Sequence, residues 1–129
     1  IGVAAWILEK FHSWSDLKNG KIEKTYNKDI LLTNIMIYLI TKTFNTASWI
    51  YFGRREEGGR CFPKKFKKIK VPTAVAEFPE EMSEWPPKSY VKRIFNVVRW
   101  TKMPRGGHFA ALEEPDLLIK DIKSFFKKI

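Results

Sequence analysis

The chain has 129 residues, with 24 Lys and Arg against 14 Asp and Glu for a formal net charge of +10, and that length suits one domain at most. At 44% hydrophobic and 15% aromatic residues it carries too much apolar material for a disordered polycation, and at 29% charged residues too much charge for a membrane protein. Its single cysteine, Cys61, excludes an internal disulfide and a cysteine zinc cluster and leaves a free thiol in a reducing compartment as the plain reading.

Gly2-Val3-Ala4-Ala5-Trp6 reads as the interior of an apolar helix with no start signal, so a truncated chain is expected. Ala4, Ile7, Leu8, Phe11 and Trp14 recur at three- and four-residue spacing and predict a helix over 3–14 with that face buried. Asp16-Leu17-Lys18-Asn19-Gly20 supplies a turn, and Asn27 caps a second helix with Asp29 in its first turn, running to about Lys42. The centre of that helix, Ile35 to Ile40, is apolar on every side, which requires covering by other protein. Ile30 to Ile40 is broken by Thr33 and Asn34 and falls short of the roughly 20 apolar residues that span a bilayer, so no transmembrane segment is expected here. A shorter helical piece holds Trp49, Ile50 and Tyr51 and is expected to end at Gly53 and the Gly58-Gly59 pair.

From Arg54 to Lys70 the composition turns basic, with glycine and proline, and marks the clearest boundary in the chain. Ile69 to Ala76 is short, β-branched and bounded by loop signals, as a buried strand is, with Pro72 near its start. A helical piece over 88–93, a second strand over 95–101, a loop over 103–113 and a terminal helix over 115–128 follow. Pro115 fits the first helical turn, and Leu118, Ile122, Phe125 and Ile129 form the expected buried stripe. Strand, helix, strand, helix is the pattern of an α/β fold with parallel strands.

His12 sits on the first helix with nothing to suggest a role, whereas His108 lies in the glycine-flanked loop Arg105-Gly106-Gly107-His108-Phe109-Ala110-Ala111 beyond the second strand. Loops at the carboxyl ends of parallel strands are where α/β proteins build their sites. An imidazole base needs an acceptor on its other nitrogen to fix the tautomer and stabilise the cation. Glu77, Glu80, Glu81 and Glu84 follow the first strand, and both loops should open on one edge of the sheet. A solvated acidic turn accounts for three of the four.

Val71-Pro72-Thr73, Phe78-Pro79-Glu80-Glu81, Asn96-Val97-Val98-Arg99-Trp100 and above all Met103-Pro104-Arg105-Gly106-Gly107-His108-Phe109-Ala110-Ala111-Leu112-Glu113-Glu114-Pro115 resemble the carboxyl-terminal region of the epoxide hydrolases of the α/β-hydrolase fold, the microsomal and juvenile-hormone type. Ala4 to Phe11 and Leu31 to Tyr38 resemble the cap helices of that family. The resemblance implies residues 1–60 as a helical cap portion and 61–129 as the carboxyl-terminal part of the hydrolase core. It implies a small-molecule epoxide and water as reactants, with no cofactor or metal. In the family an aspartate attacks an epoxide carbon to form an ester, two cap tyrosines hydrogen-bond the opening oxygen, and a histidine backed by an acid activates the water that releases a vicinal diol. His108 matches the base, Glu81 the acid of Phe-Pro-x-Glu, and Tyr51 the second cap tyrosine, although Trp49 stands where the family often has arginine. Packing beside Trp49 and Phe52 is the competing account of Tyr51.

No Gly-x-Ser-x-Gly or Gly-x-Asp-x-Gly turn and no His-Gly oxyanion loop occurs. Asp16, Asp29, Asp116 and Asp121 are explained by capping and solvation, so the resemblance puts the nucleophile upstream of Ile1 and makes the chain inactive alone. An alternative of a different class is a basic module for nucleic acid or anionic surfaces, built on Lys64 to Lys70 with Phe62 and Phe66 interleaved. Because helix-turn-helix, RNA-recognition and zinc signatures are all missing, no nucleic-acid partner is expected. Ester or haloalkane hydrolysis stays open, since the nucleophile decides the reaction.

Overall fold

A computed structural model describes residues 1–58 and 67–129. Four helices come first: α1 (Gly2–Ser13), α2 (Ile22–Thr25), α3 (Lys28–Thr41) and α4 (Phe44–Glu56), with a 3-10 turn at Lys18–Gly20. Then follow β1 (Ile69–Glu77), α5 (Lys88–Ile94), β2 (Phe95–Lys102), α6 (Ala110–Glu113) and α7 (Pro115–Phe126). Among the described residues no helix is long and apolar enough to cross a membrane. The boundary expected at residue 60, Cys61, and the Phe62 and Phe66 of the basic run lie outside the described residues.

Local chemistry places most of these elements. Asn27 Oδ1 accepts the Ile30 N–H at 3.0 Å and opens α3. Lys42, in the left-handed region at φ 56°, closes it, with the Thr43 N–H donating to Tyr38 O at 3.2 Å. Phe11, Tyr26 and Leu31 form a buried cluster, flanked by Ile7, Leu17, Ile22 and Phe109, that joins α1, α2 and α3 to the loop after β2. Leu8, at the rim of the α1 stripe, is exposed rather than buried as expected. On α3 only Leu31 and Ile35 are buried, while Met36, Ile37, Leu39 and Ile40 face outward, so the described residues do not supply the covering that its sequence calls for.

Two further expectations change. α4 runs from Phe44 straight through Gly53 to Glu56, so Gly53 does not end it. A lone glycine costs a helix only about 1 kcal/mol relative to alanine. Here Phe44 anchors the start with ring centroids 5.2 Å from Trp6 and 6.1 Å from Tyr38. Ile122 in α7 is exposed, because the inward face is centred on Asp121 instead, and Ile129 lies beyond the end of the helix and is exposed too. That carboxylate is buried and neither caps nor meets solvent: its Oδ1 accepts Arg99 Nε–H at 2.8 Å, Arg99 Nη2–H at 2.5 Å and Thr101 Oγ1–H at 2.7 Å. It ties α7 to β2.

The two strands pair in parallel, in the α/β arrangement that the alternation of strand and helix requires. Ala74 to Glu77 run opposite Arg99 to Lys102, after an irregularity that gives β2 one extra residue near Val98. Beyond the strands the chains keep company: Met103 N–H donates to Glu77 O at 2.8 Å, Glu80 N–H to Gly106 O at 3.1 Å, and Glu80 bridges Gly107 in parallel. This extension carries the acidic loop and the histidine loop along one edge.

Candidate active site

The histidine loop has a backbone that only glycine accommodates at two places. Gly106 stands at φ +103°, and a Cβ there would meet the Phe78 ring at 2.8 Å. A Cβ on Gly107 would lie 2.7 Å from Glu80 O, 2.8 Å from Trp14 O and 2.9 Å from Asp16 N, all of them backbone. Four successive N–H groups are then fixed. Gly106 donates to Asp16 Oδ2 at 2.8 Å, Gly107 to Glu113 Oε2 at 2.9 Å, His108 to Trp14 O at 2.8 Å and Phe109 to Glu113 Oε1 at 2.8 Å. Phe109 stacks on Phe11 with centroids 4.4 Å apart, so the loop rests on the hydrophobic core.

The His108 ring meets Trp14 and Phe109 edge to face, at 5.1 Å and 5.2 Å between centroids. Its Nδ1 lies 2.5 Å from Glu81 Oε1. Glu81 Oε1 is itself fixed by the Met82 N–H at 2.8 Å. An ionised carboxylate only accepts, so beside it the neutral imidazole is the tautomer with its proton on Nδ1, which leaves the Nε2 lone pair to present. Nε2 has no hydrogen-bonding partner among the described residues. The two side chains are 35% and 23% exposed, reachable from outside yet partly sheltered. Glu77 is engaged elsewhere, accepting from Trp100 Nε1 and pairing with Lys102 at 3.8 Å.

Tyr51 lies apart from this pair. It is 62% exposed on α4, with its ring 6.1 Å from Trp6, and lines a cleft of about 320 Å³ together with Trp6, Phe11, Trp14, Tyr38 and Phe109. Trp14 and Phe109, the two rings against His108, thus also form part of the cleft wall that carries Tyr51. Among the described residues no group of three or more His, Cys, Asp or Glu side chains is arranged to hold a metal ion.

Sequence reasoning missed Trp14, Asp16 and Glu113 as partners of the loop. Asp16 is neither a solvated turn residue nor a cap, since both its carboxylate and its N–H are used, the latter donating to Glu113 Oε2 at 2.8 Å. The available signal was Glu113-Glu114, two acids five and six residues beyond a Gly-Gly-His segment whose N–H groups no regular element could satisfy. Glu114, buried, binds Arg105 Nε at 2.7 Å and braces the entrance to the loop.

No protein-family model matches the sequence. It is 38% identical over 130 residues to epoxide hydrolase 1 of Sus scrofa, a match covering 97% of this chain and 29% of that protein. It is likewise 38% identical over 132 residues to juvenile hormone epoxide hydrolase 2 of Ctenocephalides felis, covering 98% of this chain and 28% of the relative. Among solved structures, juvenile hormone epoxide hydrolase from the silkworm Bombyx mori superposes with a TM-score of 0.81 at 27% identity, over 98% of this chain and 33% of that one. An enantioselective mutant of the Aspergillus niger epoxide hydrolase gives 0.72 at 26% identity, over 99% and 30%. The chain therefore spans less than a third of the length of the curated relatives it matches. The chain thus has the fold of a part of the α/β-hydrolase epoxide hydrolases and is similar to these proteins over nearly its whole length.

Proposed function

We propose that these residues form the carboxyl-terminal, base-bearing part of an enzyme that opens epoxides to vicinal diols through a covalent ester. In this reading residues 1–60 contribute cap helices and 61–129 the last strands of the hydrolase core, and the nucleophilic aspartate is supplied by sequence outside the 129 residues. The aspartate carboxylate attacks an epoxide carbon as that C–O bond breaks, and Tyr51 donates its phenolic proton to the oxygen released, recovering it when the aspartic acid set free by ester hydrolysis gives up its own. His108 Nε2 then takes a proton from water, whose oxygen attacks the ester carbonyl. The tetrahedral intermediate collapses with cleavage of the bond to the diol oxygen, and the imidazolium returns its proton to that oxygen. Glu81 keeps the tautomer and stabilises the transient cation.

The observation that carries the reading is the Nδ1 to Oε1 contact of 2.5 Å, with Nε2 left free at the edge where the two loops open. In an enzyme carrying this chain with its upstream nucleophile, His108→Ala should form the ester and fail to release diol, so that intact-protein mass spectrometry finds the protein heavier by one epoxide. Undiminished turnover in that variant would overturn the assignment. The 129-residue chain on its own should form no diol.

A further inference from the structure

We infer that Glu113 is the positioning residue of the histidine loop, the group that fixes where His108 stands by locking the loop to the turn after α1. This rests on His108 being the base proposed above. One carboxylate gathers three backbone N–H groups: Gly107 and Asp16 on Oε2 at 2.9 Å and 2.8 Å, and Phe109 on Oε1 at 2.8 Å. Two of them flank His108 on either side. The third belongs to the turn whose Trp14 carbonyl holds the N–H of His108 itself and whose Asp16 carboxylate holds that of Gly106.

Only a carboxylate suits this position. It offers two oxygens with about four lone-pair sites and no donor, whereas an amide would set an N–H against an N–H. The clamp stands on firm ground, beside Tyr26, which is buried in the core with its hydroxyl 2.6 Å from Ser15 Oγ. Loosening it leaves Gly107 or Phe109 without an acceptor and lets the backbone on both sides of His108 relax, which displaces the ring from Glu81 and from the ester. Glu113 touches no reactant in this scheme and acts through His108. Since His108 works in ester hydrolysis and not in ester formation, the consequence is confined to one half-reaction.

The test is a single-turnover experiment on an enzyme carrying this chain with its nucleophile. Glu113→Gln should form the ester at the parent rate and hydrolyse it about 10- to 100-fold more slowly, the scale expected when a reacting group is misplaced by an ångström or less. A glutamate with a merely structural role would lower both steps together, in proportion to the folded fraction. Equal loss in the two steps, or hydrolysis at the parent rate, overturns the inference. Asp16→Asn, which leaves Glu113 in place and removes the charged acceptor of Gly106, should show the same one-sided slowing and serves if Glu113→Gln does not fold. His108→Ala run alongside separates the two claims. If it accumulates no ester, the base assignment falls; if it does while both clamp variants hydrolyse normally, the clamp alone falls.

Discussion

Oε1 of Glu81 lies 2.5 Å from Nδ1 of His108 across 27 residues of sequence, because one strand-helix-strand unit returns the chain to the same edge of the sheet. The Glu80 to Gly107 bridge carries the pairing one step beyond the strands and sets the residues after each in register. Glu81→Gln keeps the shape of the side chain and removes its charge, so in the proposed mechanism the imidazolium formed during water attack would lose its stabilising partner. Ester hydrolysis in a nucleophile-bearing enzyme should slow on the order of 10²- to 10⁴-fold, the usual scale for general-base assistance. Ester formation should hold steady. Quench-flow measurement of both steps checks this, and equal rates in variant and parent would refute it.

Gly107→Ala is expected to do damage out of proportion to one methyl group. The three atoms nearest its added Cβ, at 2.7 Å to 2.9 Å, are all backbone and belong to the acidic loop and the turn after α1. Nothing there can swing aside as a side-chain tip could, so the loop must part from one of its neighbours. A loss of about 1–3 kcal/mol follows from overpacking of this kind, read as a lowered midpoint in urea unfolding of the folded enzyme. Ala110→Gly, beyond the clamped N–H groups, serves as the comparison and should lose less.

What the sequence made legible were features whose causes are local. Asn27 capping α3, Pro115 opening α7, the β-branched run that becomes β1 and the glycine-flanked histidine all announce themselves within a few residues. The pairing of His108 with an acid after β1 also followed, since it needs only the handedness and edge rules of a parallel sheet. Features that depend on distant partners did not follow. Asp121 looks like a surface residue until Arg99 and Thr101 turn out to face it, and their hydrogen bonds rotate α7 so that Ile122 is exposed. Gly53 was expected to stop a helix that Phe44, packed on Trp6, instead starts early and carries through. The Glu113 clamp joins residues 97 apart, at Asp16, and no spacing rule connects them.

Tyr26 makes stability depend on alkaline pH. It is only 1% exposed. Burial pushes its phenol well above the ordinary value of 10.0, the nearby Glu113 carboxylate acts in the same direction, and the hydrogen bond with Ser15 pulls the other way. With the folded value raised, the unfolded chain loses its proton first. The contribution is therefore complete below about pH 10 and declines as pH climbs above it toward the folded value. Urea unfolding of the folded enzyme at pH 9 and pH 11.5 should show this loss, and Tyr26→Phe, which cannot ionise, should reduce it. An identical decline in the phenylalanine variant would place the alkaline sensitivity elsewhere.

Isolated in dilute buffer, the 129-residue chain should self-associate. Ile40 and Ile50 are 70% and 71% exposed, Val71 and Phe126 nearly as much, and Trp49, Phe52 and Ile37 add to the same surfaces. These residues belong to both faces of the molecule's architecture: α3 and α4 among the helices, β1 and α7 around the sheet. Among the described residues the sheet has two strands, each with one unpaired edge. Apolar patches of this extent are rare on soluble monomers and favour association. The net charge of +10 opposes close approach, but its repulsion is screened over about 8–10 Å at ordinary ionic strength. Added salt should therefore increase association rather than disperse it, whereas assembly driven by ion pairs would weaken. Light scattering and size-exclusion chromatography across a salt series decide between these. A monomer that melts sharply and cooperatively at all salt concentrations would show that the exposed faces are stable in water as they stand.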